Sequence, residues 1–192
     1  MLSRAIQFGF TLIEIMIAIV IMGILMSAAV PSFSKWMQNS QIRTAAESVQ
    51  NGLQLARAEA ARANTSVSFT LAGNDWSVAV SGVASAVQAR SGQEGSPNAV
   101  ITSVNSVTIS GVATAMSGQN IVWFNGTGRL TGPPPAATPI VGTAFSVTNP
   151  KAGACTPLGG SGGARCLTVI VSTGGKVRMC DPALPATNPQ GC

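Results

Sequence analysis

The chain contains no histidine and no tyrosine. Histidine is the commonest general base near neutral pH and the commonest metal ligand, so the usual centre of acid–base and metal chemistry is missing. Charge is scarce too: 9% of residues are charged, against about 25% in an ordinary soluble domain. The net charge of +5 rests on eleven basic and six acidic residues spread along 192 positions, which by itself is no nucleic-acid footprint. No GxxxxGK[ST] run is present to cradle a nucleotide phosphate, so the sequence does not read as a P-loop ATPase. Serine, aspartate and lysine are scattered, with nothing to activate a nucleophile. The expectation is a protein that is not an enzyme and uses no cofactor and no metal.

Cysteine is absent until position 155. Cys155, Cys166, Cys180 and Cys192 then fall in the last 38 residues. The gaps between them are 10, 13 and 11 residues, with no C-x-x-C pair, which does not fit a zinc ribbon or finger. An even, clustered set beyond a membrane-targeting segment reads as two disulfides formed outside the cytoplasm. Four cysteines allow three pairings; the two local closures, Cys155–Cys166 and Cys180–Cys192, are favoured. A loop of this size contributes roughly 3 kcal/mol in the chain-entropy account.

The apolar residues are concentrated at the N-terminus. Residues 1–9 carry one basic residue, Arg4, and Phe10 to Val30 then run almost without polarity. These residues rise roughly 31 Å as a helix, about one hydrocarbon core. Arg4 fits a cytoplasmic N-terminus. A cleaved secretory signal, with Ser27, Ala28 and Ala29 as its small-residue site, and a plain signal anchor both compete for this segment. Glu14 argues against both, because a carboxylate in a membrane segment is costly and marks function.

Gly9-Phe10-Thr11-Leu12-Ile13-Glu14 resembles the processing motif of type IV pilins and type II secretion pseudopilins. The resemblance implies that a prepilin peptidase cuts between Gly9 and Phe10 and methylates the new N-terminus on Phe10. Glu14 becomes the fifth residue of the mature chain. Pro31 matches a proline commonly found near the end of that hydrophobic segment. Cleavage leaves a positive α-amine on Phe10, and in an apolar environment that amine and Glu14 of a neighbouring subunit satisfy each other. Glu14 then sets the axial register for assembly, as a buried polar residue does in a coiled coil.

After Pro31, which tends to kink a helix, apolar residues recur in steps of three and four: Phe33, Trp36, Met37, Ile42, Ala45, Ala46, Val49, Leu53, Ala56 and Ala60. The spacing predicts one helix over roughly 10–63, ending at Asn64-Thr65-Ser66. The run Leu53 to Arg62 resembles the helix end of the GspH/FimT/FimU group of minor pilins and pseudopilins, with Arg57 and Glu59 read as a structural pair.

Beyond residue 63 the composition is rich in Gly, Ser, Thr, Val and Ala, a β pattern with many turns. Strands are expected at 66–72, 76–81, 99–102, 106–110, 120–124, 143–148, 167–172 and 175–180, with long loops at 84–98 and 131–142. The fold class is α+β: a long N-terminal helix, membrane half plus amphipathic half, packed on an antiparallel β-sheet head of the type IV pilin kind. The expected parts are a leader (1–9), a transmembrane helix (10–30), its amphipathic continuation (31–63) and a β-rich head with two disulfides (64–192).

Thr173 to Pro182 resembles the end of FimT- and FimU-type minor pilins. That resemblance implies a minor pilin in type IV pilus assembly, at initiation or at the tip. Its partners are the prepilin peptidase and other major and minor pilins. It sits in the inner membrane, head in the periplasm, before assembly, and afterwards in the pilus or pseudopilus at the cell surface. Two alternatives stay open. One is a type II secretion pseudopilin of the GspH type. The other is a DNA-binding minor pilin, because FimT-like relatives carry a Gly-Arg-x-Arg-like element that reads Gly175-Lys176-Val177-Arg178 here, with Arg165 and Arg129 as candidates to join it. Lysine at 176 keeps the charge and loses the guanidinium fork.

Overall fold

A computed structural model describes residues 10–109, 112–117, 120–134 and 140–192. The leader with Gly9, the end of the strand expected at 106–110 and residues 135–139 of the expected loop lie outside the described residues. The chain divides into two compact units between Met37 and Gln38. One helix, α1 (Leu12–Ala63), supplies the first unit and opens the second.

Within the second unit, Ile42, Ala45, Ala46, Val49, Leu53, Ala56 and Ala60 are buried, so the stripe read from the sequence is the face that meets the sheets. α1 ends on Asn64, at φ +47°, and the Thr65 amide donates to the Ala60 carbonyl at 3.3 Å. That i to i−5 bond is a Schellman closure, which satisfies a carbonyl left open by the last turn.

Ten strands follow among the described residues: β1 (Val67–Ala72), β2 (Asp75–Val80), β3 (Ala86–Arg90), β4 (Val100–Ile109), β5 (Val112–Ser117), β6 (Ile121–Phe124), β7 (Leu130–Thr131), β8 (Ile140–Thr148), β9 (Leu167–Ser172) and β10 (Val177–Cys180). They form two sheets, ordered β3-β2-β1-β6-β7 and β10-β9-β8-β4-β5, and every pairing is antiparallel. The long helix and these antiparallel sheets make the α+β fold expected from the sequence.

Four details differ from expectation. β3 lies inside the expected loop 84–98. Its side chains are almost all exposed, so it shows no buried alternation and is held by pairing to β2 alone. The strands expected at 99–102 and 106–110 are one strand, β4, because its backbone is claimed by β8 on one side and β5 on the other. Polar Ser103 and Asn105 do not interrupt a ladder made by the main chain. β5 and β7 have no counterpart among the expected strands. β8 begins within the expected loop 131–142.

Phe69 of β1 marks where helix and sheets meet. It stacks on Trp76 of β2 at 5.8 Å and meets Phe145 of β8 edge-on at 5.7 Å. From the helix side Gly52 faces it: a Cβ there would lie 2.7 Å from Phe69 Cε2 and 3.1 Å from two Trp76 ring atoms. Trp76 in turn donates from Nε1 to Ser48 Oγ at 2.8 Å, which fixes its ring. Gly52→Val overpacks this junction and is expected to destabilise the head by about 3 kcal/mol. Denaturant unfolding with the disulfides intact measures it. Gly174→Ala, in open space, is the control and stays within about 0.5 kcal/mol of wild type.

Candidate functional site

The first unit presents an apolar rod. Every side chain described between Phe10 and Met37 is exposed, including the run from Ile15 to Met26. The segment is long and apolar enough to cross a membrane. Its one carboxylate, Glu14, stands in the first turn, where the helix dipole favours negative charge. The Glu14 amide donates to Thr11 Oγ1 at 3.3 Å, half of a capping box. No ion pair to Glu14 is present among the described residues.

At the other end of the chain the cysteines join as Cys155–Cys166 and Cys180–Cys192, with Cα separations of 5.5 and 5.1 Å. The second bond holds the C-terminal tail beside β10, where the Asp181 amide donates to the Gln190 carbonyl at 2.7 Å. The two closed loops are tied together: the Gly159 amide donates to the Ala183 carbonyl at 2.9 Å, and Arg165 Nε pairs with Asp181 Oδ2 at 2.9 Å. Asn39 accepts from the Arg165 amide at 3.1 Å, and Gln38 Oε1 accepts from Asn149 Nδ2 at 2.7 Å. Polar side chains of the helix thus pin loops that a Gly- and Pro-rich sequence leaves unsupported.

The four basic candidates do not act alike. Arg165 is neutralised by Asp181. Arg178 donates to the carbonyls of Gly191 and Cys192, both at 3.4 Å. Arg129 and Lys176 instead flank two glycines that touch, Gly128 and Gly175, with φ of +72° and +78°. A Cβ on Gly175 would overlap the Gly128 carbonyl oxygen, and Cβ atoms on either glycine would lie 3.3 Å from Arg57 Nε. Only glycine tolerates both this backbone and this approach.

Arg57 is the residue that sequence reasoning assigned wrongly. Glu59 pairs with Arg62, at 2.7 Å, and leaves Arg57 to lie across the two glycine turns. Helix geometry contains the signal: residues two apart point to different sides, whereas residues three apart are neighbours. Arg57 thus lies over the two glycine turns that Arg129 and Lys176 follow in sequence, and none of the three has an ion pair among the described residues. No group of residues able to hold a metal is found among the described residues.

The profile of the family described as Type II transport protein GspH matches residues 45–175, more than half of the chain. The chain belongs to the GspH family. A second profile, the prokaryotic N-terminal methylation motif, matches residues 4–30. Among solved structures, two crystal forms of the Pseudomonas aeruginosa type IV minor pilin FimU resemble this GspH-family chain at 19% identity. One has a TM-score of 0.50 and covers 82% of this chain and 98% of that one; the other has a TM-score of 0.47, covering 78% and 98%. No curated protein matches by sequence. At this identity the likeness speaks to the fold: one long helix on antiparallel sheets. Family and motif together make the chain a pilin-like structural subunit with a membrane-anchoring helix. They imply processing by a prepilin peptidase and association with other pilins.

Proposed function

We propose that this GspH-family chain is a minor pilin that takes part in type IV pilus assembly, at initiation or at the tip. On this reading it is cleaved between Gly9 and Phe10, methylated on Phe10, and seated among other pilins through Glu14. The observation that carries the reading is the pairing of an exposed apolar helix, with one carboxylate in its first turn, to a head whose loops are closed by two disulfides. Such a chain has a surface for helix packing and a head suited to a place outside the cytoplasm. One structural relative, the minor pilin FimU, supports the pilus reading, and the description of the matching family, Type II transport protein GspH, supports the type II secretion alternative. Deleting the gene tests this. Surface pili are expected to fall severalfold while secretion of folded enzymes is unchanged; the reverse pattern makes the protein a secretion pseudopilin.

The approach of Arg57 to the turns that Arg129 and Lys176 follow favours a second role, DNA binding during uptake. Arg57, Arg129 and Lys176 come from a helix and two turns, and no acidic residue among those described pairs with them. Few phosphate contacts give weak, sequence-insensitive binding that salt abolishes. Residues 38–192 titrated with duplex DNA at low salt are expected to bind. Replacing Arg57, Arg129 and Lys176 with glutamine removes that binding, while Arg165→Gln has little effect. Equal binding by the triple variant excludes these three residues as the contact.

A further inference from the structure

The first unit contains an aromatic pair with no partner in the described chain. Phe33 and Trp36 sit one turn apart on α1, with ring centroids 5.7 Å apart, and are 57% and 65% exposed. Lys35 lies between them in sequence and has no ion pair among the described residues. On one side of the pair the chain carries no charged residue back to Glu14. On the other, Gln38, Asn39, Ser40 and Gln41 begin the head unit at once. An amphipathic aromatic ring beside a lysine, where an apolar run turns polar, is what the headgroup layer of a bilayer favours. A water-facing helix has no such use for two large rings.

We infer that Phe33, Lys35 and Trp36 form a lipid-interface anchor that fixes the depth of α1 before assembly. The inference rests on the reading of α1 as membrane-spanning. Its consequence concerns Glu14. The rise from Glu14 to Phe33 is about 29 Å, one hydrocarbon thickness. With the aromatic pair at one interface, Glu14 lies at the opposite one, where water and headgroups solvate its carboxylate. The membrane-resident subunit therefore needs no ion-pair partner for Glu14. The need arises when the subunit rises and carries Glu14 into contact with other helices. The anchor is thus a depth stop that keeps an unassembled subunit from sliding into a position where this charge is buried alone. Lipid is favoured over a second helix as occupant because length, polarity boundary and lysine coincide at one level.

The test uses the full chain in vesicles of phosphatidylethanolamine and phosphatidylglycerol. Tryptophan fluorescence is quenched with lipids brominated near the headgroup or near the bilayer centre. The shallow quencher is expected to act at least twofold more strongly, and Trp36→Phe to remove that quenching, since Trp76 and Trp123 belong to the head unit. A stronger deep quencher overturns the anchor while leaving insertion standing; no quenching by either overturns both the anchor and the membrane reading. A nitroxide on Gly23→Cys gives a second measure, the native cysteines being paired. It reports mid-bilayer depth in the native sequence and is expected to move by about one helical turn, ~5 Å, in Phe33→Ala/Trp36→Ala. An unchanged depth in that variant overturns the anchor.

Discussion

Glu14→Val is expected to reach the membrane in wild-type amounts and to enter filaments about tenfold less efficiently or worse. Insertion is driven by the apolar run, which the change lengthens. On the proposed reading entry into a filament is different, because there the residue meets other helices and not headgroups. A carboxylate in that setting binds the α-amine that processing leaves on the first residue of a neighbour, and charge pairs of this kind hold register as well as energy. Removing the carboxylate leaves the neighbour's amine without a partner in an apolar environment, which is the costly half of breaking such a pair.

Glu14→Gln separates this role from a local one. The Glu14 amide donates to Thr11 Oγ1, so the residue also belongs to half a capping box. Glutamine serves a capping box as well as glutamate does. If the first turn is all that matters, Glu14→Gln assembles like wild type; if the charge matters, it fails as Glu14→Val does. Crosslinking or immunogold counts of the subunit in sheared pili, set against its membrane level, decide between the two. Wild-type incorporation of both variants removes the register argument.

Gly9→Val is expected to abolish processing. The proposed peptidase site places Gly9 immediately before the mature N-terminus, where the backbone has to enter an active site closely, and a branched side chain blocks that approach. Intact mass of the chain co-expressed with a prepilin peptidase reads the outcome. Wild type loses residues 1–9 and gains a methyl group on Phe10; Gly9→Val keeps its leader and stays in the membrane. A mature chain beginning at Phe10 in the variant refutes the leader assignment. The two variants fail at different steps, so together they separate cleavage from packing: Glu14→Val is cleaved, whereas Gly9→Val is not.

The sequence by itself determined what depends on neighbours along the chain. The apolar run from Phe10 and the buried stripe from Ile42 to Ala60 were legible because a helix repeats every 3.6 residues and closes its own hydrogen bonds. The cysteines were legible as a disulfide set because their even number and missing metal spacing follow from counting. The tertiary structure alone decided what depends on strands meeting across the chain. β6 pairs with β1 although β2, β3, β4 and β5 lie between them in the chain, and β3 is a strand because β2 claims its backbone, with little help from side-chain alternation. The meeting of Arg57 with Gly128 and Gly175 belongs to the same class: the three are far apart in sequence, and two glycine turns from different sheets touch beneath one arginine. No local pattern encodes that contact: it follows from sheet order, and the pairing of strands distant in the chain is repaid only by the core they bury jointly, Phe69, Phe124 and Phe145 among it.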